Sequence, residues 1–257
     1  FSSISAQPNK ILRALKSTRA CSLSISGKEN QDALQYQKLI NFRRFNLKKL
    51  AIPTLTKGDP HLICKWKDLR SFSSIERMGN ETKRKYLHLL NIMKANFPNM
   101  SQFQFAFYES ADTFQIYSSF KEALRFWIDL KELNILFYAD SVMNISTSQI
   151  FQKIAKMKIP RLKVSLSVRS LRNVDIIATW FENYHFLRTF ALDLSFEGYT
   201  DELMKKLSTN FKQMIDLKEF TLRLRTQYSG TTFRLSSILS ELGNLRKLET
   251  FILEGQD

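Results

Sequence analysis

Cysteine is nearly absent from this chain: Cys21 and Cys64 are the only two among 257 residues. Two cysteines cannot build a disulfide framework, and these two stand in no metal-ligand spacing, so a reducing compartment is expected. Glycine (7) and proline (5) are also scarce, while 44% of the residues are apolar, which excludes a fibrous or disordered chain. No run approaches the roughly 18 consecutive apolar residues that a membrane-spanning helix needs. Histidine is rare too. His61, His88 and His185 are far apart in sequence and none sits in an H-x-x-x-H frame, so no metal site is expected. Gly198, Gly230 and Gly243 are isolated, so there is no glycine-rich loop to cradle a phosphate, and no G-x-S-x-G elbow occurs. Asp201-Glu202, and Asp193 with Glu197, could serve as acid and base, but they read better as a helix start and a strand exit. The expectation is a protein without catalytic machinery, cofactor or metal.

Acidic residues are the other deficit, and it is local. Residues 1–100 carry 19 Lys and Arg against 6 Asp and Glu, whereas residues 101–257 carry 20 against 18. The excess of +15 therefore lies almost wholly at the front of the chain. Residues 1–45 read as a basic N-terminal extension. They open Phe1-Ser2-Ser3-Ile4-Ser5 and contain Lys10, Arg13, Lys16 and Arg19 before the first acid, Glu29. This resembles the distal part of a mitochondrial presequence, or the start left once one has been cut away. It suggests a mitochondrial protein, with cytosol or nucleus as the other placements. Arg43, Arg44, Lys48, Lys49, Lys65, Lys67 and Arg70 form the candidate contact for an anionic partner: RNA, anionic lipid head groups or an acidic protein face. Trp66 could stack on a base among these cations, or simply cap a core; a set of solvated lysines is the plainer reading.

What the sequence does have is a phrase that returns six times. It reads Met100-x-x-Phe103-x-Phe105, Leu130-x-x-Leu133-x-Ile135, Ile159-x-x-Leu162-x-Val164, Leu187-x-x-Phe190-x-Leu192, Leu217-x-x-Phe220-x-Leu222 and Leu248-x-x-Phe251-x-Leu253. The steps are 30, 29, 28, 30 and 31 residues. The last two apolar positions of each phrase are two apart, the period of a strand with one buried face. Helices are expected between phrases: Phe120, Ala123, Leu124 and Trp127 form one stripe, Val174, Ile177, Ala178 and Phe181 another, and Leu203, Leu207, Phe211 and Met214 a third. A shorter helix is expected over Ser236–Leu242, closed by Gly243, and a longer one over Glu81–Asn96. Weaker copies of the phrase lie at Leu47-x-x-Leu50-x-Ile52 and Leu69-x-x-Phe72.

A strand and a helix per turn of about thirty residues resembles leucine-rich repeats of the long, ribonuclease-inhibitor-like type. The best copies are Leu217-Lys-Glu-Phe220-Thr-Leu222-Arg-Leu224 and Leu187-Arg-Thr-Phe190-Ala-Leu192-Asp-Leu194. The resemblance implies an α/β solenoid of about five to seven repeats over residues 46–257, regular from about residue 99. Parallel strands would line the concave face and helices the convex one. The family's asparagine after the strand is missing: Tyr138, Ser195 and Arg225 stand in its place. Phenylalanine often replaces leucine, so the inner layer should be bulky.

The outward strand positions are then the expected binding surface for protein: Gln102, Gln104, Glu132, Asn134, Lys163, Ser165, Thr189, Asp193, Glu219 and Arg223, with Ala106 and Leu136 in the same row. The row is polar and mixed in sign, which suits an extended protein segment better than a polyanion. The expected function is a non-enzymatic scaffold, a subunit of a larger assembly such as a respiratory, ATP-synthase or ribosomal complex, acting through protein contacts. The sequence stops just after its sixth phrase, so an end covered by a partner subunit is expected. An RNA-binding accessory protein using residues 38–85, and a ubiquitin-ligase-type substrate receptor, are the alternatives.

Overall fold

Each strong phrase becomes a strand, and within each unit of the chain every strand lies parallel to its neighbour in chain order. The computed structural model describes residues 22–24, 48–52, 68–74, 80–108, 114–139, 145–168, 174–196, 201–226 and 236–256. They divide between two compact units, the first comprising residues 1–106 and 122–130, the second residues 107–121 and 131–257.

The first unit holds β1 (Ser22–Ser24), β2 (Lys49–Ile52), β3 (Ser71–Ser74), α1 (Asn80–Asn96) and most of β4 (Gln102–Tyr108). β1 pairs with β2, β2 with β3 and β3 with β4, all parallel. Leu50, Phe72 and Phe103 share one register line, which makes both weak copies of the phrase true strands. β1 lies within the stretch read as a basic extension. Tyr86, Leu89, Leu90 and Met93 are fully buried, as their i, i+3, i+4, i+7 spacing on α1 requires. The core is aromatic. Phe72 and Phe103 stack at 5.8 Å, Tyr86 meets Phe105 edge-on at 4.9 Å, and Trp127 lies 4.5 Å from Phe103.

In the second unit β5 (Glu132–Ala139), β6 (Arg161–Val168), β7 (Thr189–Phe196), β8 (Glu219–Thr226) and β9 (Thr250–Gln256) pair in parallel without a register slip. The connections carry α3 (Ile145–Met157), α4 (Val174–Trp180), α5 (Asp201–Lys212) and α6 (Ser236–Leu242). α2 (Phe114–Phe126) runs across the division of the chain. Phe120, Ala123, Leu124 and Trp127 are buried as expected, as are Ile177, Ala178 and Phe181, and Leu203, Leu207, Phe211 and Met214; the Val174 side chain of the second stripe lies outside the described residues. α3 was not foreseen individually, although Ile150, Phe151 and Ile154 bury its inner side. Lys158 just after α3 and Asn183 just after α4 have left-handed backbone, at φ 54° and 70°, the turn by which a helix ends.

Two devices tie successive turns together. The first is the backbone before each strand. Arg188 and Thr189 N–H both donate to Pro160 O, Lys218 and Glu219 to Arg188 O, and Glu249 and Thr250 to Lys218 O, at 2.8–3.1 Å. In the first unit Arg70 and Ser71 donate to Lys48 O, and Ser101 and Gln102 to Arg70 O, in the same way. Lys131 O receives only the Arg161 N–H, because Pro160 occupies the other donor position and has no N–H to give. The second device lies in the helical layer: Trp180 Nε1 donates to Ser148 Oγ, Tyr184 Oη to Phe151 O, and Asn210 Nδ2 to Ala178 O.

Candidate functional site

Strand alternation divides the second unit's sheet into a buried face and an outward face. Leu133, Ile135, Leu162, Val164, Leu166, Phe190, Leu192, Leu194, Phe220, Leu222 and Leu224 are buried, so the residues between them point outward. Parallel pairing without a slip sets the outward residues in straight rows across the strands. One row runs Glu132, Arg161, Thr189, Glu219 and Thr250; the next Asn134, Lys163, Ala191, Thr221 and Ile252. A third runs Leu136, Ser165, Asp193, Arg223 and Glu254, and a fourth Tyr138, Ser167, Ser195 and Arg225. The centre is floored by short side chains, Ser165, Ser167, Ala191 and Ser195. Chain placed across them can approach the strands closely.

Charge on this face is paired across strands. Arg223 grips Glu254 through both carboxylate oxygens, at 2.6 and 3.0 Å, and Arg225 donates to Asp193 at 3.1 Å. Thr189 donates to Glu219 at 3.3 Å. The hydrogen bond from Arg223 holds the Glu254 carboxyl below its usual range, with Arg225 and Lys163 adding to the effect through space. Lys163 stands on β6 and Glu254 on β9, so the outward face gathers its charges into one field. Cations (Arg161, Lys163, Arg223, Arg225) and carboxylates (Glu132, Asp193, Glu219, Glu254) balance. The side-chain oxygen of Asn134, next to Lys163 in register, is buried with no hydrogen-bond partner among the described residues.

Of the expected binding residues, Glu132, Asn134, Lys163, Ser165, Thr189, Asp193, Glu219 and Arg223 thus share one face of one sheet. Gln102 and Gln104 occupy the outward positions of β4 in the first unit, where Ser73 Oγ donates to Gln104 Oε1 at 3.0 Å. Ala106 is a correction: it is fully buried. Strict alternation from Gln102 and Gln104 fails for it, since Phe105 beside it is buried as well. Arg161, Arg225 and Glu254 belong to the face and were not foreseen. One further step of the alternation, from Lys163 back to Arg161 and from Arg223 on to Arg225, would have found two of them, and extending it to the last strand the third.

Of the expected anionic-partner residues, Lys48, Lys49 and Arg70 are described, and all three are exposed. Lys48 and Arg70 lend their carbonyls to the backbone ties of the first unit. Arg43, Arg44, Lys65, Lys67 and Trp66 lie outside the described residues. Among the described residues no three His, Cys, Asp or Glu converge as metal ligands, and no helix is long and apolar enough to cross a membrane.

No protein-family model and no curated protein matches this chain. Among solved structures it is similar to a chain in the complex of Toll with Spatzle from Drosophila, at 14% identity and a TM-score of 0.43. That similarity covers 87% of this chain and 26% of the other, so this chain spans about a quarter of the Toll-complex chain it matches. The strand registers themselves show an α/β arrangement, a parallel strand with each strong phrase and a helix between, which fits a repeat solenoid.

Proposed function

We propose that this protein is a non-enzymatic scaffold built from leucine-rich-like repeats, a subunit of a larger assembly that holds an extended segment of a partner protein across the outward sheet face of the second unit. The observation that carries this reading is the floor of Ser165, Ser167, Ala191 and Ser195 between paired, balanced charges. A polyanion would want a continuous line of cations, which this face interrupts with carboxylates. A peptide backbone, by contrast, can lie against short side chains and meet Lys163 and Asp193 with its own polar groups. Glu254, held ionised by Arg223, is suited to pairing charge and not to shuttling a proton at neutral pH. We also propose that the assembly is mitochondrial, a reading supported by residues 1–28, which are basic, serine-rich and free of acid.

The test is size fractionation of native extract, with cross-linking of the co-migrating proteins. The wild-type chain is expected in a large species, with cross-links to Lys163. The double variant Lys163→Glu, Arg223→Glu is expected to leave that species while keeping its own circular dichroism. Migration of the wild-type chain as a free monomer overturns the subunit reading. Failure of import into isolated mitochondria removes the compartment alone.

A further inference from the structure

At the edge of the second unit's sheet, where each helix hands the chain back to a strand, a cavity of about 530 Å3 opens among Arg188, Asp216, Lys218, Arg246, Lys247 and Glu249. The repeat explains why these residues converge. Arg188, Lys218 and Glu249 each stand one residue before a strand, in three successive turns. The backbone ties before the strands set those turns side by side. Parallel strands lie about 4.8 Å apart, so side chains at equivalent places are within reach of one another.

The ionic pattern of the wall is specific. Lys218 pairs with Glu249 at 2.6 Å, and Lys247 with Asp216 at 2.5 Å, each bridging adjacent turns. Those two pairs consume both carboxylates. Arg188 and Arg246 are left without a hydrogen-bonded or ion-paired carboxylate among the described residues. Asp216 registers the surplus: its carboxyl is held below the usual range first by the bond from Lys247, then through space by Arg188 and His185 as well. Two guanidinium groups at a cavity whose other charges are already neutralised are suited to one compact dianion. Planar guanidinium donors bind phosphate oxygens in pairs.

We propose that this edge cavity binds the phosphate monoester of a phosphorylated side chain on a partner polypeptide. Single phosphate, as opposed to a nucleic-acid backbone, is favoured by the neighbours: Asp216 and Glu249 interrupt the edge, and a run of phosphates would meet both of them. The volume exceeds what one phosphate fills and leaves room for the residues flanking it. The proposal is independent of the sheet-face reading, because the cavity lies on the edge of the sheet and shares none of its outward residues.

The test uses the full chain and a fluorescein-labelled peptide, Ala-Ala-phosphoserine-Ala-Ala, followed by fluorescence anisotropy. The expected result is binding at least tenfold tighter than that of the unphosphorylated peptide, with inorganic phosphate competing. Arg188→Gln and Arg246→Gln should each weaken it about tenfold, the loss expected for a charged hydrogen bond. Lys163→Glu with Arg223→Glu should leave it unchanged, which separates this site from the sheet face. Equal affinity for the two peptides overturns the proposal, as does indifference to both arginine variants with circular dichroism intact. Tighter binding of decauridylate than of the phosphopeptide, weakened by the same arginine variants, also overturns it in favour of nucleic acid.

Discussion

Phe220 is the side chain whose removal should cost the second unit most for the least change in chemistry. It is 1% exposed and faces three other rings: Phe190 at 5.6 Å, Phe211 at 4.9 Å and Phe251 at 5.7 Å. Phe190, Phe220 and Phe251 also share one register line across β7, β8 and β9. Phe220→Ala therefore empties a space bounded on both sides by neighbouring turns, and should cost about 3–5 kcal/mol, the range for a buried phenylalanine cut to alanine. Phe220→Leu keeps most of the volume and should cost about 1–2 kcal/mol, chiefly through the ring pairs, each worth about 0.5–1.5 kcal/mol. Ile215, 62% exposed, is the control, and Ile215→Ala should stay within about 0.5 kcal/mol of wild type. Urea unfolding followed by circular dichroism measures all three. Combining Phe190→Leu with Phe220→Leu in a double-mutant cycle should give a coupling of about 0.5–1.5 kcal/mol, since the rings stack at 9°. A Phe220→Ala loss below about 1 kcal/mol, no greater than an average substitution, would refute the claim that each turn is held by burying its apolar row against the next.

Three further outcomes are expected. Tyr184→Phe removes the 2.8 Å bond to Phe151 O and should cost about 1 kcal/mol in the same urea assay; no loss would mean the tie between turns carries nothing. In the wild type, burial raises the Tyr184 hydroxyl well above its ordinary range. Tyr184 should thus stay protonated where exposed tyrosines ionise, and the stability its burial protects is present below the unfolded tyrosine range and lost as pH rises through the folded value. Lys158→Gly relieves a left-handed backbone at φ 54° and should raise stability by about 0.5–1 kcal/mol, read as an upward shift of the urea midpoint; a fall would show that the lysine side chain holds the turn. Glu254 and Asp216 both have depressed folded pKa values, so their contribution is present above the unfolded carboxylate range and fades as pH falls through the folded values. In Arg223→Gln the Glu254 carboxyl should titrate upward toward its ordinary range by NMR, while Asp216, whose partner is Lys247, should not move.

The strands were legible because burial on one face leaves a period-two mark, and five near-equal intervals leave little room for chance. Helix faces were legible for the same reason, at period 3.6. Even the faint copies at Leu50 and Phe72 fell into register, because a parallel neighbour needs only one or two buried side chains to fix its phase. α3 escaped individual notice because its inner residues, Ile150, Phe151 and Ile154, form a short stripe amid polar ones. Ala106 was misplaced because alternation was carried past Phe105, where two successive residues are buried. The helical ties, Asn210 to Ala178 above all, were invisible. A polar side chain reaching a carbonyl 32 residues away leaves no local pattern. The edge cavity was hidden for a related reason: its walls are x positions of the phrase (Arg188, Lys218, Glu249) and unpatterned residues just before it (Asp216, Arg246, Lys247), and only stacking brings them together.

The carbonyl ties before each strand have a consequence for how such a chain can vary. At every tied turn the link runs from main chain to main chain, and the residues lending the carbonyl are as unlike as Lys48, Arg70, Pro160, Arg188 and Lys218. Where proline removes one donor, the other still bonds. Mutation can therefore rewrite this edge of the molecule freely without unfastening one coil from the next. New specificity can be tried there at almost no structural risk, while the greasy interior stays under strict constraint.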